Sequence, residues 1–363
     1  MEGLVGGGPA GLPDPAFWAG RSVLLTGDTG FKGAWLALWL TALGAKVTGI
    51  GLAPGEPSLF ALAGVDRAID HAAVDIREPA ALAAVVAAAR PEIVLHLAAQ
   101  SLVRPSYDDP TATYATNVTG TINLLEAVRA TPGVRLVVVV TSDKCYENTE
   151  LGTPFREGDP LGGHDPYSSS KACQEIVAAS WRRSFLATSG VRLASARAGN
   201  VIGGGDWAVD RLIPDCIRAF LADEAIEIRS PNAVRPWQHV LEPLAGYLVL
   251  AERMAADERF AAAWNFGPAE TDVHPVGTVV ERVIAGWGGG ECRITPTTEK
   301  HEAKLLTLDS GRARAELGWR PRLAFAEAVA WTVDWYRAFA RGDDLSAFTL
   351  RQIEDYASRH AHP

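Results

Sequence analysis

Residues 22–39 read SVLLTGDTGFKGAWLALW, and this stretch decides the fold. It opens with a short apolar run, typical of a buried strand, and continues with apolar residues at helical spacing. Between the two lie Gly27, Gly30 and Gly33, in the spacing G-x-x-G-x-x-G. A strand, a glycine turn and a helix in this order predict the first unit of a dinucleotide-binding sheet.

The glycines have separate physical roles in such a turn. Gly27 permits a tight turn that a side chain would obstruct, Gly30 lets the main chain approach a pyrophosphate, and Gly33 lets the helix pack close to the strand. The helix N-terminus adds unpaired N–H groups and the positive end of a dipole. We therefore expect these glycines and Phe31 to bind a dinucleotide cofactor. Gly44 is expected to end the helix.

Strand and helix patterns alternate up to about residue 203, which predicts an α/β fold with a doubly wound, parallel Rossmann-type sheet. We assign this domain to residues 16–203. The rhythm then becomes irregular, so residues 204–363 are predicted to form mainly a smaller C-terminal substrate-binding domain, some segments of which could return to the first domain. The glycine- and proline-rich residues 1–15 are predicted to be a disordered tail.

The composition excludes several classes of protein. Of 363 residues, 48% are hydrophobic and 21% are charged, which is typical of a globular chain with a real core. The net charge of -9, with no basic tract, argues against nucleic acid or an anionic membrane as the main partner. No apolar run is long enough to span a membrane. Four scattered cysteines indicate reduced thiols and a cytoplasmic location, and the histidines show no metal-ligand spacing, so no metal is expected.

The second predicted strand, residues 46–52, lacks a feature that dinucleotide folds usually have. An acid normally follows this strand and holds the adenosine ribose, but here Glu56 is the nearest. No arginine stands there for a 2′-phosphate either, so NAD is favoured over NADP while the choice stays open. Asp75 and Ile76 follow a third strand, where an acid often holds the adenine. The alternative for Asp75 is a helix N-cap.

Small residues follow the predicted strand 92–97, where open α/β sheets bind their ligands. Leu97, Ala98 and Ala99 leave room for the cofactor at this edge. We assign the next residue, Gln100, to the substrate.

Three residues form a catalytic pattern that we name the Ser–Tyr–Lys set: Ser142 after a strand, then Tyr167 and Lys171 one turn apart on a helix that Asp165 caps. Tyrosine is a poor base in water because its pKa is near 10. A neighbouring ammonium and a positive nicotinamide would favour the phenolate. Tyr167 could then remove the proton of a sugar hydroxyl that Ser142 holds. Each residue alone is more often structural, but the three occur together, in order, after the glycine turn.

The motifs carry a resemblance to a known family. The spacing of the glycine turn resembles the extended branch of the short-chain dehydrogenase/reductase superfamily, which acts on nucleotide sugars. From about residue 17 to near the C-terminus, the chain is similar to the CDP-glucose 4,6-dehydratase family. The segments that carry the similarity are TGDTGFKGAWL, LAAQSLVRPSY, TSDKCYEN, DPYSSSKACQE, RAGNVIGGGDWAVDRLIPD, RPWQHVLEPLAGYL and WNFGP.

The resemblance implies a hydro-lyase reaction in deoxysugar and polysaccharide biosynthesis. Tyr167 would take the 4-hydroxyl proton of CDP-glucose while hydride passes from C4 to NAD. The 4-keto group would then acidify the C5 proton, water would leave from C6, and hydride would return to C6. The product would be CDP-4-keto-6-deoxyglucose, and the cofactor would end unchanged.

The resemblance also assigns the elimination to the two residues after Ser142. Asp143 would be the acid at C6. Relatives that act on dTDP-glucose have Asp-Glu here, whereas this chain has Asp143-Lys144. Lys144 could be the C5 base only if desolvation or nearby positive charge lowers its pKa. Alternatively it stabilises the enolate, or both residues form only a solvated charged turn.

Further residues are expected at the substrate. Arg211 and Arg235 are candidates for the pyrophosphate, because guanidinium groups pair with phosphate oxygens in bidentate fashion. Asn200 is expected to bond a phosphate or a hydroxyl. Trp207, His239 and Asn265 are weaker candidates.

The helices predicted at residues 111–128 and 166–185 resemble the pair that forms a four-helix interface in this superfamily. That resemblance implies a homodimer or a dimer of dimers.

Three alternatives stay open. A nucleotide-sugar 4-epimerase also oxidises C4 but eliminates nothing, so it has no need of Asp143. A 4,6-dehydratase could use dTDP-, GDP- or UDP-glucose, because no base-reading residue is evident. A cofactor-sensing regulatory protein with an inactive site would have no reason to keep the Ser–Tyr–Lys set.

Overall fold

Seven parallel strands form the central sheet of the computed structural model, which describes residues 11–149, 152–295 and 306–360. They lie in the spatial order β3-β2-β1-β4-β5-β6-β7. In chain order the strands are β1 (Ser22–Thr26), β2 (Lys46–Gly51), β3 (Asp70–Ala73), β4 (Ile93–His96), β5 (Leu136–Val140), β6 (Arg192–Ala198) and β7 (Ala263–Phe266).

The strand order confirms the predicted doubly wound sheet. The direction in which the chain adds strands reverses between β1 and β4, and open α/β sheets bind ligands at the carboxyl ends of the strands at such a point. The glycine turn follows β1 directly. The topology therefore locates the site at this edge.

Helices cover both faces of the sheet, so its strands are buried on both sides. Val23 and Leu25 of β1 belong to one hydrophobic core, and Leu24 between them belongs to the other. The helices are α1 (Pro15–Trp18), α2 (Phe31–Ala42), α3 (Leu59–Leu62), α4 (Pro79–Ala89), α5 (Val103–Asp108), α6 (Pro110–Tyr114), α7 (Gly120–Ala130), α8 (Pro166–Trp181), α9 (Leu212–Ala222), α10 (Leu241–Ala256), α11 (Val276–Trp287), α12 (Phe325–Arg341) and α13 (Leu345–Ser358).

The helix predicted at residues 111–128 contains a π-helical turn, Ala115–Thr119, between α6 and α7. Such turns are frequent at functional sites. This one includes the buried Asn117, whose Nδ2 donates to the main-chain oxygen of Gln100 and to Ser170 Oγ, both at 2.9 Å. The turn therefore ties this helix to the edge of the sheet and to α8.

The chain beyond residue 203 contributes to both parts of the molecule. It supplies β7 to the central sheet, as the prediction of returning segments allowed, and α10, which packs against β5 and β6. The exact division at residue 203 stays a prediction. Short strand pairs are Val201–Ile202 with Gln238–His239, Val234–Pro236 with Val273–Pro275, and Ile226–Ile228 with Cys292–Ile294.

The predicted disordered tail is too long. Residues 1–10 lie outside the described part of the chain, but Leu12 is buried and Asp14 caps α1. The main-chain N–H of Asp14 also donates to Glu252 Oε1 at 2.8 Å. The contact of Asp14 attaches this segment to α10, so the prediction of disorder is wrong for residues 11–15.

Three further features concern partners and chemistry. Within the described residues, no helix is long and apolar enough to cross a membrane. All four cysteines are free thiols. No cluster of three His, Cys, Asp or Glu side chains in the described ranges is arranged to hold a metal ion.

Candidate active site

A cleft of about 1930 Å³ lies at the carboxyl ends of the strands, between the sheet and the chain beyond residue 203. It brings together most of the predicted site residues. Those that line it are Gly27, Gly30, Phe31, Gly33, Asp75, Ile76, Leu97, Ala98, Ala99, Ser142, Asp143, Lys144, Tyr167, Lys171, Asn200, Trp207, Arg211 and Arg235.

The glycine turn has the shape that a dinucleotide needs. Gly27 has a φ of +79°, and a Cβ there would lie 2.7 Å from the main-chain nitrogen of Ala98. A Cβ at Gly33 would lie 1.9 Å from the main-chain oxygen of Gly27. Only glycine fits at both places, and Gly30 leads into the N-terminus of α2. The turn therefore fits a pyrophosphate at the helix N-terminus.

Ser142 and Asp143 lie in one tight turn after β5. Ser142 caps the 3₁₀ turn Asp143–Cys145, because its Oγ accepts from the main-chain N–H of Lys144 at 3.2 Å. The same Oγ donates to Asp143 Oδ1 at 3.0 Å. Both side chains are buried. The turn thus presents a hydroxyl and a carboxyl group side by side at the wall of the cleft.

Burial changes the acidity of Asp143. Desolvation raises the pKa of this carboxyl group, and the positive charge of Lys144 and the hydrogen bond from Ser142 oppose the rise. Gly199 leaves room for the Asp143 carboxyl group, since a Cβ at position 199 would lie 2.7 Å from Asp143 Oδ2. A buried carboxyl group with a raised pKa holds its proton more readily at neutral pH, as a general acid requires.

Tyr167 and Lys171 lie on one face of α8, whose start is fixed as predicted. Asp165 accepts from the main-chain N–H of Ser168 and Pro166 is the first helical residue. Burial raises the pKa of Tyr167 to about 12, and a hydrogen bond with Ser142 opposes this rise. In the protein alone, burial thus outweighs the groups that favour phenolate.

Lys171 belongs to a chain of buried hydrogen bonds. Its Nζ donates to Gln174 Oε1 at 2.8 Å, and Gln174 Nε2 donates to Thr121 Oγ1 at 2.7 Å. Thr121 in turn contacts His96 at the end of β4. Burial, and then the positive charge of Lys32, lower the pKa of Lys171 to about 7. These hydrogen bonds fix the Lys171 ammonium group between α8 and the sheet.

A buried ion pair anchors α8 to the sheet. Glu175 accepts from Arg197 Nη2 at 2.7 Å, from Ser195 Oγ at 2.6 Å and from Thr141 Oγ1 at 2.5 Å. Burial alone would raise the pKa of Glu175, but the bonds from Arg197 hold it below its usual value. The pair holds Tyr167, two turns earlier on the same helix, in register with the end of β5.

Three predicted substrate residues lie outside the lining of the cleft. Asn265 on β7 is fully buried, accepts from Tyr146 Oη at 2.7 Å and donates to the main-chain oxygen of Phe155 at 2.9 Å. His239 is fully buried beside Trp35 and Trp331, and burial lowers its pKa to about 3.

Gln100 is the third of these residues. Its Nε2 donates to the main-chain oxygen of Leu102 and to Thr113 Oγ1, and its Oε1 accepts from the main-chain N–H of Leu102. In this structure these three polar residues lie outside the cleft lining and contact other parts of the fold. The partners of Gln100 are near it in sequence, whereas His239 and Asn265 contact residues far along the chain.

Asp75 lies at the cofactor side of the cleft but is not a helix N-cap. Glu78 occupies the cap position of α4. The carboxylate of Asp75 instead accepts from the main-chain N–H of Arg77 and from its guanidinium group. These bonds hold the pKa of Asp75 below its usual value.

Two charged groups of the glycine turn were not predicted. Lys32 is half-buried and lines the cleft, where burial and then the charge of Arg211 lower its pKa to about 8. Asp28 is fully buried, with Oδ2 2.6 Å from His71 Nδ1 on β3. A lysine in the otherwise apolar run FKGAWLALW was the available signal for Lys32. No local sequence pattern predicts that Asp28 contacts His71.

Asp28 also explains the missing acid of the second strand. A Cβ at Gly49 or Gly51 of β2 would lie within 2.6 Å of its carboxylate, so the carboxylate lies against the end of that strand. Its Oδ1 is buried and lacks a hydrogen-bond partner among the described residues. An acid is therefore present near the expected position, but it comes from the glycine turn.

Known proteins share this architecture and these motifs. The family model described as GDP-mannose 4,6 dehydratase matches residues 24–332. The chain belongs to this family. Within it, a CDP-glucose 4,6-dehydratase of Salmonella typhimurium is 47% identical over 353 residues, which cover 95% of this chain and 98% of that protein. The predicted resemblance to CDP-glucose 4,6-dehydratases is thereby confirmed.

Solved structures agree with the family. A crystal structure of DesIV, a dTDP-glucose 4,6-dehydratase from Streptomyces venezuelae with NAD bound, has a TM-score of 0.76 and 25% identity, over 89% of this chain and 98% of that chain. A UDP-glucose-4-epimerase from Stenotrophomonas maltophila, also with bound NAD, has the same TM-score and identity, over 89% and 99%. Dehydratases and epimerases therefore share this fold, so only the residues of the active site can distinguish the two activities.

Proposed function

We propose that the protein is an NAD-dependent CDP-glucose 4,6-dehydratase, a hydro-lyase that forms CDP-4-keto-6-deoxyglucose for deoxysugar and polysaccharide biosynthesis. The observation that carries the proposal is Asp143, a buried carboxyl group beside the Ser–Tyr–Lys set in the cleft. The 47% identity to a CDP-glucose 4,6-dehydratase supports CDP as the nucleotide of the substrate.

The residues of the turn and the sheet edge fit NAD. The glycines at 27, 30 and 33 leave the space that a pyrophosphate takes at the N-terminus of α2. Asp75 and Ile76 would meet the adenine, and Leu97, Ala98 and Ala99 would flank the ribose and nicotinamide. The residues that follow β2 include no arginine for a 2′-phosphate, which supports NAD over NADP. Bound NAD would accept hydride from C4 and return it to C6.

Tyr167 would act first, as the base at the 4-hydroxyl. Ser142 would hold that hydroxyl, since it already shares a hydrogen bond with the tyrosine. Lys171 would favour the phenolate by its charge and would bind the nicotinamide ribose. The buried Gln174 and Thr121 fix Lys171 in this position.

Asp143 would act second, as the acid that protonates the C6 hydroxyl when water leaves. Its raised pKa, caused by burial, suits this role. Lys144, the next residue, lines the same wall of the cleft. It would either take the C5 proton or stabilise the enolate by its charge. A Lys144→Met variant that keeps C5 proton exchange would assign the base to another group.

Arginines would hold the substrate by its pyrophosphate. Arg211 and Arg235 both line the cleft, as does Asn200, which follows β6. Guanidinium groups suit this role because they bond two phosphate oxygens at once. Arg235→Gln should therefore raise KM for CDP-glucose far more than it lowers kcat, and a pure kcat loss would remove this assignment.

The main alternative is a nucleotide-sugar 4-epimerase, because epimerases share the fold. Incubation with CDP-glucose and mass spectrometry separates the two. A product lighter by one water supports the dehydratase, whereas an unchanged mass with inverted C4 supports the epimerase. A thermal-shift panel with CDP-, dTDP-, GDP- and UDP-glucose tests the nucleotide. We expect the largest stabilisation with CDP-glucose, and a larger one with another nucleotide would reassign the substrate.

We further propose a cytoplasmic homodimer. Four free cysteines suit a reducing compartment, and cell fractionation tests this location. The dimer would form through α7 and α8, in line with the family resemblance. Ile176 on α8 is 57% exposed and Phe185, just after α8, is 41% exposed, which leaves apolar side chains on this face.

A further inference from the structure

An ion-pair cluster in the cleft joins parts of the chain that are far apart in sequence. It joins Arg104 on α5, Asp210 in the loop before α9, and Arg229 just after the strand Ile226–Ile228. One oxygen, Asp210 Oδ1, accepts from Arg229 Nη2 at 2.8 Å and from Arg104 Nη1 at 3.3 Å. All three side chains line the cleft. Two guanidinium groups from distant parts of the chain thus converge on one carboxylate.

Asp210 has an unusual backbone conformation and an accessible side chain. Asp210 has a φ of +64°, in the left-handed region that aspartate and asparagine tolerate better than most residues. The side chain is 31% exposed and those of Arg104 and Arg229 are 38% exposed, so solvent in the cleft reaches the whole cluster. Ion pairs at such exposure are weak and exchange readily.

We propose that Arg104 and Arg229 form a second phosphate-binding pair for the nucleotide diphosphate, and that Asp210 is an internal anion that occupies this pair until the substrate displaces it. This inference rests on the proposed function only for the substrate class. A diphosphate offers several charged oxygens in a geometry that two guanidinium groups can bond in bidentate fashion, whereas Asp210 offers one oxygen to both.

A similar arrangement nearby supports the exchange. Arg211, a predicted pyrophosphate residue, donates to Asp206 Oδ2 at 2.7 Å, and Asp206 belongs to the same loop as Asp210. The loop therefore presents its own carboxylates to the arginines of the cleft. Such competition lowers the apparent affinity for substrate, because only the fraction of molecules with free arginines can bind it.

Asp210→Asn tests the proposal, because asparagine keeps the shape and tolerates the left-handed backbone but carries no charge. Loss of two weak ion pairs should tighten binding of CDP and of inorganic pyrophosphate by about 3- to 10-fold. Isothermal titration of the NAD-loaded full chain at fixed low salt measures both ligands. Asp210→Gly, which also removes the carboxylate and suits a positive φ, should change affinity in the same direction.

Two further variants separate this mechanism from a general charge effect. Glu227→Gln removes another exposed carboxylate of the cleft lining, one that forms no ion pair within the described ranges, and should change affinity much less. Arg229→Gln should weaken binding. In that background the added Asp210→Asn change should give a clearly smaller gain.

Weaker or unchanged binding by Asp210→Asn would overturn the proposal, as would an equal gain from Glu227→Gln or an undiminished gain in the Arg229→Gln background. Failure of the proposed function is distinguishable. If the unaltered protein binds pyrophosphate and the Asp210 variants bind it more tightly, the arginine pair stands even where CDP and CDP-glucose do not bind.

Discussion

Tyr167 is 7% exposed and Lys171 2%, and this burial determines how each would work. It raises the pKa of the tyrosine to about 12 and lowers that of the lysine to about 7. The two shifts have the same cause, since burial disfavours the charged form of either group. If Tyr167 is the base, its proton removal would depend on positive charge from Lys171 and from the bound cofactor.

Tyr167→Phe should abolish dehydration and leave nucleotide-sugar binding nearly intact, because only the proton-accepting oxygen is lost. Turnover by mass spectrometry and binding by titration give the two readouts. Tyr114→Phe, the same change at a position outside the cleft lining, should keep native turnover. Near-native activity of Tyr167→Phe would show that another group is the base.

Asp143→Asn should separate the two halves of the reaction. Oxidation at C4 depends on the Ser–Tyr–Lys set, which the change leaves in place, but an amide cannot protonate the C6 hydroxyl. Dehydration should fall by about 10²–10⁴-fold, the usual worth of general acid catalysis. Stopped-flow absorbance of reduced nicotinamide should show accumulation on mixing. Deoxysugar formation at the native rate would exclude Asp143 as the acid, and no reduction at all would place it in C4 oxidation.

Local patterns predicted which residues of the Ser–Tyr–Lys set come together in the cleft, and they gave no information where burial depends on distant contacts. Ser142 and Tyr167 stand at the end of a strand and the start of a capped helix, which short sequence patterns specify. Asn265 looked like a ligand residue, but its partners Phe155 and Asp309 come from elsewhere in the chain. No local pattern specifies those contacts.

At the scale of elements, the glycine turn, β1 and α2 were predictable because each has its own periodicity and its own turn residues. The π-helical turn Ala115–Thr119 was not, since its sequence continues the helical pattern. The return of β7 to the sheet also has no local signal, because it depends on pairing with β6 across a long separation in the chain.

A buried carboxyl group joins the C-terminal elements to α10. Glu242 accepts from the main-chain N–H groups of Arg322 and Leu323 at 2.8 and 2.7 Å, and from Tyr356 Oη at 2.7 Å. Burial raises its pKa to about 7, and the hydrogen bonds and the charge of Arg322 oppose this rise. The folded state therefore binds this proton more tightly than the unfolded state does.

This shift predicts a pH-dependent stability. The contribution of Glu242 is fully present below its unfolded pKa of about 4.5 and is lost as the pH rises through about 7. Glu242→Gln keeps the shape without the titration, so it should be about 2–3 kcal/mol more stable than the unaltered protein at pH 8 and nearly equal to it at pH 5. Denaturant unfolding at the two pH values measures this.

The exposed Glu281→Gln serves as the control for loss of one negative charge. It should leave the pH dependence unchanged. A Glu242→Gln variant that is less stable than the unaltered protein at both pH values would show that the carboxyl group stabilises the fold in its charged form.

At the scale of the whole molecule, the sheet edge and the chain beyond residue 203 together make one cleft. The catalytic turn lies at the sheet, and the arginines that would hold the substrate come mainly from the later chain. The change in sequence rhythm after residue 203 indicated a second part of the chain, and its boundary stays a prediction. Which arginines converge could not be predicted, because Arg104 and Arg229 are far apart in sequence and meet through Asp210.

Assembly is predicted at this scale as well. Ile176→Arg places a charge on the exposed apolar face of α8, which should convert the proposed dimer to monomer by analytical ultracentrifugation. Ile294→Arg is the matched control, because Ile294 is 63% exposed on the strand Cys292–Ile294 and lies on a different element. Dissociation by the control alone would place the interface elsewhere, and a monomeric unaltered protein would remove the proposal.

In the proposed reaction, one active site oxidises C4, eliminates water and reduces C6 without net consumption of cofactor. CDP-glucose that carries deuterium at C4 tests it most directly, by mass spectrometry and NMR of the product. We expect a product that is lighter by one water and retains the deuterium, now at C6. A labelled sugar of unchanged mass, or a dehydrated product that has lost the deuterium to solvent, would contradict it.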